Sequence, residues 1–435
     1  MTKQFFLLLF ILVAAQCRLA LHCSAQQILD LGLDDARRHA LEHNTSLANA
    51  GLSVDNARAQ LREAVAQGLP QVSATVDYSN FFGSTVSLGN FPGMEIEFNP
   101  TSNLGISVSQ IIFSGSYIVG VQSAKLYREM METNREKTRN DILAQVTQAY
   151  CLCLISERMQ GVVRDNLKNM QDMLDKSKAL LDAGMSEELD HDQLTVQVSM
   201  LSDALRAADR QTELSRNMLR LHLGLTAEQE IRLTDDIETI VATTDFDGAL
   251  AQPFSLEMHP EYRMMALQSD IAKRQLRMQQ SSFLPTIAGF YNFTEKLLKP
   301  EFDITPKHVI GLNLSLPLFT SGARLSRIDQ ANVELRIAEN QKKLLSQELQ
   351  LREKQLRFNL NNAMEQYESQ RANLRVSRKV HAGMKLKFEQ GMISGLDLTT
   401  ANNNFLQAEN SYLTALLQLM EAQVEFARLR NSLAE

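Results

Sequence analysis

Between Gln71 and Asn80 the chain alternates. Val72, Ala74, Val76 and Tyr78 are apolar, and Ser73, Thr75, Asp77 and Ser79 between them are polar. A period of two is the signature of a strand with one apolar face. The pattern returns three more times. Leu104, Ile106 and Val108 alternate with Gly105, Ser107 and Ser109; Ile287, Tyr291 and Phe293 share a third segment; and Ile310, Leu312, Leu314 and Leu316 alternate with Gly311, Asn313 and Ser315 up to Pro317. The predicted strands span about 71–82, 103–113, 286–294 and 308–317. Each is about ten residues, the length a tilted strand needs to cross a bilayer core. Tyr78, Phe81, Phe82, Phe290, Tyr291 and Phe293 are candidate interface aromatics. An amphipathic hairpin on a soluble domain would show the same alternation.

After each strand pair the period changes. From Val119 to Ala183 there is no proline and only Gly161 interrupts; from Ala323 to Gln390 there is no proline and only Gly383. Each run predicts one helix on the order of 95–100 Å long. Leu349, Leu356, Leu360, Ala363, Tyr367 and Leu374 recur at coiled-coil intervals. Gly184 and Gly391 end the long helices, and a second helix returns at once to Gly224 or Asn431, residue types that tolerate a left-handed cap. Long helical hairpins are therefore predicted over about 119–224 and 323–431. The first half opens with a helix read from Leu33 to Gln67, stopped by Gly68 and Pro70. Glu42 and Glu257 are read at the head of the first helix of each half, as surface charges rather than a catalytic pair.

These elements are written twice. Leu41-Glu42 matches Leu256-Glu257, Leu69-Pro70 matches Leu284-Pro285, and Gly184-Met185 with Leu189-Asp190 matches Gly391-Met392 with Leu396-Asp397. The offset moves only from 215 to about 207 residues, too long a period for a solenoid unit. The expected division is a first repeat over 26–225, an acidic crossover over 226–254 and a second repeat over 255–435. The crossover holds seven acidic residues and one basic residue, Arg232, and reads as a connection with a short helix or strand.

Composition places this architecture outside the cytoplasm. Met1 to Ala25 reads as a secretory signal, with Lys3, an apolar run over Phe5 to Ala15, and small residues before Gln26. A lipoprotein would instead be acylated at Cys17 or Cys23, against which stand Gln16 and His22. Loss of Lys3 and Arg18 takes the net charge from -7 to -9. Cys151 and Cys153 remain, two apart on a helix and so facing different ways, and read as small buried residues without a disulfide. An acidic chain without Lys/Arg clusters argues against nucleic acid as a partner. No later apolar stretch is long enough for a membrane helix.

Four strands cannot close a barrel, and hydrocarbon does not tolerate unpaired edges. If these strands cross a membrane, several chains share one barrel, and three chains supply twelve strands. Both strands of each hairpin connect to helices on one side, so all the long helices would hang from one membrane face.

The order of elements, the duplication, the Leu-Pro before the first and third strands, the two Gly-x-x-x-x-Leu-Asp turns and the Gly224 ending resemble the TolC-like outer membrane factor family. The resemblance covers nearly the whole mature chain. It implies a mainly α protein with a β-barrel part. A trimeric twelve-stranded outer-membrane barrel would continue into a periplasmic α-helical coiled-coil barrel. It further implies a homotrimer set in outer-membrane lipid. A periplasmic adaptor would dock at its tip, coupled to an inner-membrane RND or ABC transporter that supplies the energy. The turns Gly184, Met185, Ser186 and Gly391, Met392, Ser394 would be the docking tip, with Ser186 and Ser394 also candidate N-caps. Asp190 and Asp397 match aspartates near the closed inner end of the duct, where rings of carboxylates would favour cations. Asp192 is a candidate supplement. Thr400 and Ile393 stand where the family has an aspartate and, in one member, a latch arginine, which puts the latch in doubt.

No enzyme chemistry competes with this reading. There is no Walker loop, no G-x-S-x-G, no H-E-x-x-H and no dinucleotide fingerprint, and no cofactor is expected. The eight histidines lack ligand spacing. The eighteen methionines include adjacent pairs such as Met130-Met131, which suits packing better than Cu(I) transport. A coiled-coil spacer of the cell envelope is the alternative, but it gives no reason for an apolar face on all four strands.

Overall fold

The computed structural model describes residues 28–87, 95–184, 187–298 and 305–433. The signal segment with Cys17 and Cys23, and the turn residues Met185 and Ser186, lie outside them. The described elements, in order, are β1 (Leu29–Leu31), α1 (Leu33–His43), α2 (Thr45–Ala66), β2 (Gln71–Ser79), β3 (Thr85–Ser87), β4 (Glu95–Glu97), β5 (Thr101–Phe113) and the long α3 (Gly115–Asp182). Then follow α4 (Glu188–Leu223), β6 (Ile231–Leu233), α5 (Ile237–Thr243), α6 (Phe246–Ala251), a short 3-10 turn (Leu256–Met258), α7 (Pro260–Ser281), β7 (Thr286–Leu298), β8 (His308–Ser315), α8 (Ala323–Glu389) and α9 (Gly395–Arg430). Helices α3 and α8 hold 68 and 67 residues, and both return helices hold 36.

The chain forms two compact units, and both cut across the repeats. One takes residues 49–137 and 256–350. Its centre is an antiparallel sheet in the order β2-β5-β7-β8, so the two repeats meet at the β5–β7 pair. The register aligns the alternation of every strand. Val72, Val108, Tyr291 and Ile310 form one cross-strand row, and Ala74, Ile106, Phe293 and His308 form the next. The opposite face carries rows such as Ser73, Ser107 and Asn292. There Ser73 and Ser107 share a hydroxyl hydrogen bond of 2.7 Å, and Asn103 Nδ2 donates to Asp77 at 2.8 Å. Around the sheet, Tyr117 packs over Gly68, where a Cβ would lie 2.3 Å from the ring, and its hydroxyl donates to the Val65 carbonyl. Helices α7 and α3 are joined by Lys137–Glu261 and Arg263–Glu136 ion pairs, each at 2.8 Å.

The other unit holds residues up to 48, 138–255 and 351 onward. Its core is a helical bundle around Tyr150, Leu219, Leu360, Leu416 and Phe426, all fully buried. The crossover is built into this bundle. Strand β6 pairs in parallel with β1, and Asp235 accepts from the Leu33 amide at 2.7 Å, capping the N-terminus of α1 from 202 residues away. The buried Tyr150 hydroxyl donates to Leu31 O and Asp235. Arg357 and Arg430 both lie over the Phe426 ring and donate to the last carbonyls of the crossover, at Leu250, Ala249 and Gln252. Cations at a helix C-terminus satisfy its orphan carbonyls. The crossover thus contains one strand and two helices, more than a connection.

The first helix departs from the sequence expectation. It is broken at Asn44, which is extended, accepts from the Ser46 amide and donates to the His222 carbonyl. At the break α1 packs closely on the end of α4: a Cβ at Gly224 would lie 2.6 Å from the His43 carbonyl oxygen. Glu42 therefore lies in the last turn of α1 rather than at a helix head, and Glu257 lies in the 3-10 turn before α7. The 22-residue helix of the first repeat equivalent to α7 is α2, at an offset of 215, and the last turn of α1, Leu41–His43, corresponds to the 3-10 turn Leu256–Met258.

Candidate functional site

The two glycines that follow α3 and α8 share one backbone conformation, and the capping residues after them differ. Gly184 and Gly391 are both left-handed, with φ of +71° and +69° and open space around each Cα. An L side chain there meets backbone strain rather than a neighbour. At the second turn the Gly391 and Met392 amides donate back to Phe388 O and Lys387 O, both at 2.9 Å, closing a Schellman motif. Ser394 then caps α9. Its hydroxyl accepts from the Asp397 amide, while the Asp397 carboxylate accepts from the Ser394 amide at 3.2 Å and hydroxyl at 2.8 Å. This reciprocal box neutralises two orphan donors. At the first turn Glu187 is the cap residue and makes no side-chain cap bond.

The aspartates are not equivalent. Asp397 is exposed and tied into its own helix cap. Asp190 is half-buried, and its carboxylate lies beside Gly395, the first residue of α9, where a Cβ would come within 3.4 Å of Oδ1. Buried Gly395 therefore lets Asp190, near the start of α4, rest against the N-terminus of α9. The sequence offered no signal for Gly395 beyond a glycine after a cap serine. Asp192 is exposed. Thr400 donates to its own helix at Leu396 O, and Ile393 packs with Met170, Met173, Leu194 and Leu398 in an apolar cluster under the turns. Leu189, Met392 and Leu396 stay 57–63% exposed, so the turns present apolar side chains to solvent.

Two further surfaces are apolar and open. The sheet ends in unpaired edge strands: β2 is exposed along its length and β8 nearly so. Val72, Ile310 and Leu312 are 68%, 84% and 72% exposed. On α8 the exposed Ile337, Leu344, Leu351 and Phe358 recur every seven residues, opposite the buried Leu349, Leu360 and Leu374. Helix α4 exposes Val196, Met200, Leu214, Met218 and Leu221. Among the described residues no helix is long and apolar enough to cross a membrane, and no group of three or more His, Cys, Asp or Glu is arranged to hold a metal. Cys151 and Cys153 are free and buried, and burial pushes their thiols up to about 12 and about 11.

A four-stranded antiparallel sheet with helical hairpins, one from each repeat, is the architecture of TolC-like channels. The chain aligns with the CmeC outer membrane channel of Campylobacter jejuni at a TM-score of 0.76 and 16% identity, over 92% of this chain and 85% of that one. VceC of Vibrio cholerae aligns at 0.75 and 16%, over 92% and 96%. The open-state MtrE channel of Neisseria gonorrhoeae aligns at 0.74 and 19%, over 92% and 88%. No curated protein matches the chain in sequence. The profile of the outer membrane efflux proteins matches residues 36–225 and 254–432, and the chain belongs to that family. It is an outer-membrane efflux protein with a large periplasmic part, and not an enzyme.

Proposed function

We propose that three copies of this chain form one duct. A shared twelve-stranded barrel would open the outer membrane, and the long helical hairpins would line the passage through the periplasm. The duct would be passive and would receive substrates from a periplasmic adaptor bound to an inner-membrane RND or ABC transporter, in a tripartite efflux or type I secretion system. The observation that carries this reading is the open sheet. It has one largely apolar face, interrupted by Gln110, Glu295 and His308, and two unpaired edges, which no isolated chain could keep in hydrocarbon. Pairing β2 of one copy with β8 of the next removes every edge. The heptad-spaced apolar residues of α8 and the stripe on α4 supply a helical contact between copies. A coiled-coil spacer leaves the sheet unexplained.

The turns Gly184 and Gly391, with Met392, Leu189 and Leu396 exposed beside them, are the proposed adaptor contact. Asp190 and Asp397 are the proposed carboxylates of the constriction. The test is extraction and conductance. The protein should resist salt and alkali, need detergent, and run as a trimer that opens cation-preferring pores in planar bilayers. Asp190→Asn with Asp397→Asn should reduce that preference. Release by alkali as a monomer would end the duct reading, and unchanged selectivity in the double variant would remove the carboxylates from the lumen.

A further inference from the structure

The crossover forms one wall of a groove of about 810 Å³ against α8 and α9, remote in sequence from the turns and the sheet. Its floor is apolar, with Val241 and Phe246 from the crossover, Met364 and Leu374 from α8, and Leu419 from α9. The rings of Tyr367 and Tyr412 meet there at 5.9 Å. Along the α8 side stand Arg371, Arg375 and Arg378, spaced by four and three residues and so on one helix face. Arg378 is paired with the buried Glu409 at 3.3 Å, and Arg371 with Glu368 at 3.4 Å. Arg375 is exposed and has no ion pair or hydrogen bond among the described residues.

We propose that this groove binds a small organic anion, a carboxylate on an aromatic or branched apolar body, with Arg375 receiving the carboxylate. The volume lies in the range of small-molecule sites, and an apolar floor with a few placed polar groups is their usual lining. A guanidinium with free donors matches a carboxylate in shape and charge. Glu238 on the facing wall already has a cation beside it, Arg158 at 3.8 Å, which offsets its charge toward an incoming anion. The groove lies wholly within one compact unit, and the proposal does not depend on closure of the sheet.

Titration of the full-length protein in nonionic detergent with para-(trifluoromethyl)benzoate, followed by fluorine NMR against detergent alone, tests this. Saturable binding is expected. Arg375→Gln should weaken it about tenfold, the scale of one charge-assisted hydrogen bond. Ala372→Trp, which fills the groove from an exposed position, should abolish it. The neutral para-(trifluoromethyl)benzamide should bind about tenfold more weakly. Partition that never saturates, equal binding of the benzamide, or an unchanged Kd in either variant overturns the proposal.

Discussion

His39 and His43 stack at 4.2 Å, one helical turn apart, where α1 meets the end of α4. His39 is held below the usual histidine range, first by burial and then by His43, with Glu42 and the Leu223 backbone acting in the other direction. A histidine depressed in the folded state binds fewer protons than in the unfolded chain, so stability rises with pH across the gap. Its contribution is complete above about pH 6.5, the unperturbed value, and is lost as pH falls toward the depressed one. Thermal melting should therefore show a lower midpoint at pH 5.5 than at pH 7.5, and His39→Gln should narrow that difference. An equal difference in the variant would place the acid sensitivity elsewhere. At this scale the sequence was legible only where chemistry is local. The Ser394–Asp397 cap can be read from spacing alone. The Asp235 cap on α1 cannot, because its partner is 202 residues away.

The strands form a second level, where period two decides which side chains share a face. Register is what turns four alternating segments into one apolar surface, since a slip by one residue would reverse a strand. Leu312 and Asn313 are neighbours on β8 and point to opposite faces. Leu312→Arg should cost roughly 2–4 kcal/mol if its face meets hydrocarbon, and should reduce heat-resistant trimer in outer-membrane fractions. Asn313→Lys should leave trimer yield near the parent level. Equal yields for both would mean that the apolar face does not meet lipid. The alternation identified the strands, but β7 runs on to Leu298 and β2 stops at Ser79. Pairing sets these ends: β5 continues to Thr101 opposite Ser79, and β7 pairs with β5 from Phe113 up to Ser102, which faces Leu298.

For the whole molecule, the two turns are the proposed surface through which a passive duct would meet its energy source. Gly391→Val forces a β-branched residue into a left-handed backbone at a cost of roughly 1–2 kcal/mol, in a turn with no neighbour to clash with. Export measured in cells should fall while the trimer still assembles, since the turn and the sheet belong to different compact units. Wild-type export in this variant would remove the turn from the docking surface. The sequence by itself determined the duplication, the strands, the long helices and their glycine ends, because each depends on periodicity or on backbone freedom within a few residues. Only the tertiary structure decided that α1 breaks at Asn44, that the crossover is folded into the bundle, and that Asp190 rests on Gly395 while Asp397 serves its own cap. Those outcomes depend on contacts between segments tens to hundreds of residues apart, and local pattern carries no record of which distant group arrives to satisfy a buried amide or fill the space over a glycine.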